Sequence, residues 1–254
     1  MQCQYIDYSC PNQAQNLALE EVLIQPFVKN PQLNPIIRVW QSDEYCIVLG
    51  RGEKIENQVY TEKAQDLNIP VYRRISGGGT VVQGPGNLNL SFFLPYHFIS
   101  GLDVIENSYQ IILPWVTQSL KKAYGAEVNI SGTCDLTING KKISGTAQAR
   151  KRHGLLHHMT LLMDFDLAVV SKVLKEPEKR PEYRKLRQHE VFITDLKREG
   201  YETEKETFLT ALQEIVPGQV AYMNQNDLPH QETLDLAERK YKKDEWNYCG
   251  KSPR

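Results

Sequence analysis

Apolar residues recur at helical spacing over residues 11–28, where Ala14, Leu17, Ala18 and Val22 fall on one side of a 3.6-residue turn. Pro11 suits a first helical position, with Ser9 or Cys10 before it. Residues 36–40 and 45–49 read as a strand pair around the polar turn Gln41-Ser42-Asp43-Glu44. A short helix is expected over 58–67, closed by Asn68 and Pro70. Residues 71–95 are extended: Leu88, Leu90, Phe92 and Leu94 alternate with Asn87, Asn89, Ser91 and Phe93. Helical spacing returns over 103–124 through Ile105, Ile112, Trp115, Val116 and Leu120, and Pro114 predicts a kink or a late start there. Strands follow at 133–138, 142–150 and 155–165, and the last third is more helical and more charged. Strands mixed with flanking helices predict an α+β domain with a mixed, mostly antiparallel sheet, and the absence of βαβ alternation argues against a dinucleotide-binding fold.

Composition narrows the class. The chain has 254 residues, 41% hydrophobic and 24% charged, with a net charge of −1. That suits one well-packed domain and excludes a largely disordered chain. Thirty basic against 31 acidic residues also lack the positive surplus of a general nucleic-acid binder. No apolar run approaches the roughly 20 residues of a membrane-spanning helix, and the N-terminus lacks a secretory pattern. The five cysteines (Cys3, Cys10, Cys46, Cys134 and Cys249) are far apart and include no C-x-x-C pair. Reduced thiols in a cytoplasmic protein are the expectation, with no disulfide framework and no protein-bound metal.

The richest segment is Arg73-Arg74-Ile75-Ser76-Gly77-Gly78-Gly79-Thr80, followed by Gln83-Gly84-Pro85-Gly86-Asn87. Three glycines in a row remove every Cβ, so a ligand can lie on the backbone and N–H groups can converge on an anion. Arg73 and Arg74 bring cations suited to phosphate. The competing reading is a glycine turn with two solvated arginines. No Gly-Lys-Ser/Thr follows, so this is not a P-loop, and no helix follows as a dinucleotide fingerprint requires.

Asp135-Leu136-Thr137-Ile138-Asn139-Gly140-Lys141-Lys142-Ile143-Ser144-Gly145 carries a two-residue hairpin signal at Asn139-Gly140. The expected register pairs Ile138 with Lys141, Thr137 with Lys142, Leu136 with Ile143 and Asp135 with Ser144. Alternation then puts Asp135, Thr137, Lys142 and Ser144 on one face, and Leu136, Ile138 and Ile143 on the other with Lys141. Lys142 looks diagonally at Asp135, and such a pair can polarise a carboxyl or phosphoryl oxygen. An exposed ion pair is the alternative. Cys134 falls on the Leu136 face, away from Lys142, which favours a buried, inert thiol over a nucleophile.

His157 and His158 open an apolar strand and point to opposite faces, so one orders the site and the other is structural; a shared metal does not fit. The run from Lys172 to Arg187 holds seven basic residues (Lys172, Lys175, Lys179, Arg180, Arg184, Lys185 and Arg187) against Glu176, Glu178 and Glu182. It reads either as a solvated surface or as a docking face for an acidic partner.

Taken together, Arg-Arg-Ile-Ser-Gly-Gly-Gly, Gly-Pro-Gly-Asn, Lys142-Ile143-Ser144-Gly145 and His157-His158-x-Thr160-Leu161-Leu162 resemble the lipoate–protein ligase A family, within the biotin/lipoate ligase and octanoyltransferase superfamily. The likeness runs from Asn16-Leu17-Ala18-Leu19-Glu20-Glu21 to Trp246-Asn247-Tyr248. It implies an α+β core like that of class II synthetases and a two-step reaction: lipoate and ATP, with Mg²⁺, give lipoyl-AMP, and a lysine of a lipoyl-carrier domain then takes the acyl group. Implied carriers are the lipoyl domains of 2-oxoacid dehydrogenase complexes or the glycine cleavage H protein. By the family pattern Lys142 holds the adenylate oxygens. Arg74 and Gly77 to Gly79 line the acyl and phosphate channel. Asn87, Asp135, Ala147 and Thr160 contact the nucleotide. Ser76, Gln83, Ser144, Gly145 and His158 complete the implied site. Gln83 stands where the family has a histidine, and Met159 where a glycine is common.

A single catalytic domain over 1–254 is expected, without the C-terminal accessory domain of many members. A separate accessory chain is therefore a possible partner. The alternatives are an ATP-independent octanoyl or lipoyl transferase using Cys134, and a catalytically silent lipoyl-binding adaptor. Leu49-Gly50-Arg51-Gly52 is only a fragment of a biotin-ligase signature.

Overall fold

The computed structural model describes residues 2–177 and 180–252. Its strands are β1 (Gln2–Asp7), β2 (Ile36–Gln41), β3 (Cys46–Leu49), β4 (Val71–Arg73), β5 (Val81–Gln83), β6 (Asn87–Pro95), β7 (Asn129–Ser131), β8 (Asp135–Ile138), β9 (Lys141–Ser144), β10 (Thr146–Arg150), β11 (Gly154–Leu162) and β12 (Gln219–Tyr222). The main sheet runs β10-β11-β6-β2-β1-β12. Its β10-β11, β11-β6 and β6-β2 pairs are antiparallel, while β1 lies parallel to both β2 and β12. Two three-stranded sheets, β4-β3-β5 and β7-β8-β9, flank it. The α+β expectation is therefore met.

Strand β6 shows how one sequence pattern serves core and site together. Leu88, Leu90, Phe92 and Leu94 are fully buried against the helices Ile105–Tyr124 and Lys205–Ile215. Each such side chain contributes about 1.5–3 kcal/mol on burial, enough to fix the strand's register. Its polar alternates Asn87, Asn89 and Ser91 are also buried. They face the sheet's other side, towards the helix Gln13–Ile24, so the alternation separates core from cleft rather than core from water.

Several boundaries differ from those expected. The first helix spans Gln13–Ile24 and continues as a 3₁₀ turn, Gln25–Val28. Its cap is Asn12, whose side chain accepts from the Gln15 N–H at 3.0 Å, so Pro11 lies outside it. The region 58–67 splits into the helices Ile55–Gln58 and Thr61–Asp66. The Ile105–Tyr124 helix starts early and runs through Pro114. Strand 142–150 breaks at Gly145 into β9 and β10. Strands β1, β7 and β12 had no counterpart in the hydrophobic pattern.

Candidate active site

The β8–β9 hairpin carries Lys142. Asn139 and Gly140 both adopt positive φ, 51° and 73°, as the tight primed turn requires. Thr137 pairs with Lys142 and Ile138 with Lys141, as the sequence predicts. Beyond them the register shifts: Leu136 pairs with Ser144, because a bulge lies between Leu136 and Thr137. The expected Leu136–Ile143 and Asp135–Ser144 pairings are therefore replaced, yet the faces survive. Leu136, Ile138 and Ile143 join the main core. Lys142 Nζ meets Asp135 Oδ1 at 2.7 Å, with a quarter of the lysine side chain still exposed. A Cβ on Gly145 would sit 3.3 Å from that ammonium, so the missing side chain leaves room for it. The hairpin is held from behind by Glu199, which accepts from Asn139, Lys141 and Thr194.

The two adjacent arginines do different work. Arg73 turns away from the glycines and donates to the backbone carbonyls of Gly50, Arg51, Glu53, Trp246, Asn247 and Tyr248. It is a staple for the segment around Trp246, which corrects its reading as a ligand cation. Arg74 donates to Ser76 Oγ (2.8 Å) and to the carbonyls of Val48, Gly77 and Gly79 (3.2, 2.6 and 2.8 Å). Of its five N–H groups, three thus hold the glycine loop and a fourth ties it to β3. Burial pulls its guanidinium down to about 10, so it remains a cation at neutral pH. Gly50 makes this packing possible, because a Cβ there would lie 1.8 Å from the Gly78 carbonyl oxygen.

Behind the loop lies a relay. Ser76 Oγ is 2.6 Å from His158 Nε2, and His158 Nδ1 is 2.8 Å from Glu20 Oε2. Glu20 Oε1 accepts from Ser91 at 2.5 Å, and Ser91 also accepts from Trp40 Nε1 at 3.2 Å. Burial would raise the Glu20 carboxyl, but His158, Ser91 and Arg38 outweigh it and hold it below the usual carboxylate range. His157 points into the core between Phe92 and Tyr109, and burial pushes it down to about 3. The histidine pair therefore divides into one site residue and one structural residue.

These elements enclose a cleft with two joined lobes. The first, of about 120 Å³, is lined by Leu17, Glu20, Trp40 and Val48 together with Arg74, Gln83, Asn89, Ala147, His158 and Met159. The second, of about 270 Å³, is lined by Asp135 and Ser144 together with Phe165, Val170, Arg184, His189 and Phe192. Gly79, Thr80, Val81, Lys142, Gly145 and Thr160 belong to both walls. Of the expected site residues, Ser76, Gly77, Gly78 and Asn87 lie outside both linings, and Ala147 lines the first lobe alone. Glu20, Trp40 and Thr80 were missed. Glu20 left a signal, a carboxylate three residues after Leu17 on the helix side that faces the fold.

Residues 12–216 match the lipoyl protein ligase A/B catalytic domain family. The chain belongs to that family. It is 28% identical to the octanoyltransferase LipM of Clostridioides difficile, over 92% of this chain and 94% of that protein. It is 36% identical to a probable lipoate-protein ligase A of Mycoplasma genitalium, over 63% of this chain and 45% of that protein. The chain thus spans nearly all of the transferase but about half the length of several of the ligases it matches. In fold it superposes on a bi-partite lipoate protein ligase of Thermoplasma acidophilum with a TM-score of 0.80 at 21% identity, covering 100% of this chain and 98% of that one.

Against the lipoyl ligase family pattern, Gln83 enters an amide ladder. Gln13 Nε2 donates to Gln83 Oε1 (2.7 Å), and Gln83 Nε2 and Asn87 Nδ2 both donate to Asn89 Oδ1 (2.9 and 3.0 Å). Within the basic run 172–187, Lys172 and Lys185 are exposed, but two of the arginines are tied into the fold. Arg184 is buried, bonded to Glu176 at 2.6 Å and stacked on Phe192, and Arg187 donates to the carbonyls of Gly140 and Tyr183. These groups roof the second lobe, and Tyr183 donates from there to Asp135 Oδ2 at 2.7 Å. Glu178 and Lys179 lie outside the described residues. Cys134 packs against the main core, lines neither lobe, and has its thiol raised chiefly by burial. Among the described residues, no helix is long and apolar enough to cross a membrane.

Proposed function

We propose that this chain is a lipoate–protein ligase, which joins lipoate to ATP as lipoyl-AMP and passes the lipoyl group to a lysine of a lipoyl-carrier domain. The observation that carries this is the place of Lys142: its ammonium belongs to the wall of both lobes, opposite Asp135. A long, mostly apolar acyl chain suits the first lobe. The larger second lobe suits a nucleotide, whose phosphates would bring their own Mg²⁺. Its lining supplies Lys142, Arg184 and a shielded Ser144 hydroxyl without a partner, groups that fit phosphate oxygens.

In the first step the lipoate carboxylate attacks the α-phosphorus and pyrophosphate leaves. In the second, the carrier amine attacks the acyl carbonyl carbon, AMP leaves and one proton is released. Lys142 holds the oxygens on which charge builds in both steps, and Asp135 keeps it aimed. The carriers that fit are the lipoyl domains of 2-oxoacid dehydrogenase complexes or the glycine cleavage H protein, and a separate accessory chain can complete the activation step.

The test is lipoate-dependent exchange of pyrophosphate into ATP, run with and without candidate accessory chains. Lys142→Ala should abolish it, and a variant that exchanges normally would show that Lys142 is not the activating group. The near full-length similarity to an octanoyltransferase favours a second reading, ATP-free acyl transfer through Cys134. Its test is acyl label taken from octanoyl-carrier protein without ATP; label that survives Cys134→Ser eliminates the thiol relay.

A further inference from the structure

A further cavity, of about 160 Å³, shares no lining residue with either lobe. It lies where the start of the helix Gln13–Ile24 meets the turn between β2 and β3, with Tyr72 of β4 beside them. A single water needs only about 10–15 Å³ measured in this way, so the space admits a small organic molecule.

Its chemistry is one-sided. The only charged side chains in the lining are the carboxylates of Asp43 and Glu44, both exposed. Among the described residues neither forms an ion pair. Burial raises the thiols of Cys10 and Cys46 and the phenols of Tyr45 and Tyr72, so these four lining groups stay neutral. Arg38 reaches the lining only from behind: it is fully buried, and its donors are taken by Tyr8, Cys10 and Asn16. The helix start is capped from within, because Asn12 accepts from the Gln15 N–H.

Gln13 is the independent pointer to a ligand. It lines the cavity and is only 6% exposed. Its Nε2 is committed to Gln83 at 2.7 Å, which fixes the amide, and its Oε1 is shielded from water without a partner. A buried acceptor left unpaired is costly and rare. An N–H donor entering the cavity would satisfy it, and the carboxylates favour a donor that carries positive charge.

We infer that this cavity is a binding site for a small organic ammonium, which donates to Gln13 Oε1 and is drawn in by Asp43 and Glu44. The rings of Tyr45 and Tyr72 in the wall suit both its charge and its alkyl stem. The site shares no wall with the cleft and does not rest on the ligase reading.

The experiment is calorimetric titration of the full chain with n-butylammonium, and with n-butanol as the uncharged counterpart of the same length. The ammonium should bind saturably and at least about ten-fold more tightly than the alcohol. Gln13→Leu should weaken it about ten-fold, and the double variant Asp43→Asn with Glu44→Gln about three- to ten-fold. The double variant should leave lipoate affinity within about two-fold of wild type, since neither residue touches the cleft. Nα-acetyl-lysine amide, with the same ammonium on a peptide-like stem, separates the sources: tighter binding than n-butylammonium assigns a lysine of a protein partner, weaker binding a free amine, and either supports the site. Absence of saturable ammonium binding overturns it, as does equal binding of the alcohol. Ammonium binding that survives Gln13→Leu also overturns it, because that marks attraction to surface carboxylates alone. If Gln13→Leu does not melt cooperatively, Gln13→Met, closer in shape, decides the same point.

Discussion

The two lobes are built on opposite principles. The first is walled by strands of the main sheet and by the helix Gln13–Ile24, and its polar groups are locked in chains: Arg74 to the glycine loop, Ser76 to His158 to Glu20, Gln13 to Gln83 to Asn89. The second is roofed by short helices and turns, held by a few side chains. Arg184 grips Glu176, Glu176 accepts from the His189 N–H at 2.9 Å, and Arg187 and Tyr183 reach to the lysine hairpin. Non-glycine Lys185 within this roof has φ 55° and ψ −133°, a strained backbone that the surrounding contacts must sustain. A preformed lobe pays its ordering cost on folding, while the roofed lobe defers part of that cost to binding. The first lobe should therefore tolerate little change anywhere, and the second should depend on its roof.

Breaking the roof tests this most strongly. Arg184→Glu sets a second carboxylate against Glu176 in a buried position, where losing an ion pair costs about 3–5 kcal/mol. ATP binding should be lost while lipoate affinity changes less than about 3-fold, both read by calorimetry. Loss of both ligands together would show that the lobes are not independent.

The converse comes from Glu20→Gln, which keeps the shape and removes the charge beneath His158. Loss of one charged, buried hydrogen bond costs about 1.5–3 kcal/mol, so lipoate should bind roughly ten-fold or more weakly and ATP unchanged. If ATP binding falls as well, the relay supports the whole cleft and the contrast fails.

This contrast also explains what could be read from the chain. The parts of the site that were legible are local: a glycine triplet, an Asn-Gly turn, and the alternation on β8 and on β6 (broken by Phe93) each act through neighbours in sequence, whereas the Glu20–His158 relay joins distant segments and was missed. The bulge that moves Ser144 opposite Leu136 was not legible, since nothing in the hairpin's own pattern marks an extra residue. Strands β1 and β12 were missed because each is short and mixes polar with apolar residues, and their parallel pairing joins segments over 200 positions apart. The roof was misread for a related reason. A run of arginines and lysines looks solvated until the fold shows Arg184 stacked on Phe192 and Arg187 tied to Gly140. Charge along a sequence does not reveal burial.

His157 offers a smaller, pH-dependent test on the core side of the first lobe. Burial lowers its folded pKa to about 3, against about 6.5 for the unfolded chain. Between those values the unfolded state binds the extra proton, so stability falls as the pH is lowered through that window. Glu20 acts with the other boundary. Its folded pKa lies below its unfolded value, so its contribution is fully present above the unfolded carboxylate range and is lost as pH falls through the folded value. Denaturant melts across this range should show a shallower slope for His157→Gln than for the wild type. Parallel slopes would mean that the ring charges without penalty, contrary to its burial.

The smallest effect is expected at Cys134, which adjoins the second lobe's lysine hairpin yet belongs to the core. Its thiol is half-buried against apolar neighbours, and burial raises it away from the thiolate form that nucleophilic attack needs. Cys134→Ser places a hydroxyl there at a cost of about 1 kcal/mol, which should lower the melting temperature by a few degrees at most. ATP-dependent lipoylation of a carrier domain should stay within about two-fold of wild type. A loss of more than about ten-fold, in a variant that still melts cooperatively near the wild-type temperature, would place the thiol in the chemistry. The division of labour would then reverse, with the hairpin supplying a covalent acyl acceptor beside Lys142 and the roofed lobe no longer needed for a nucleotide.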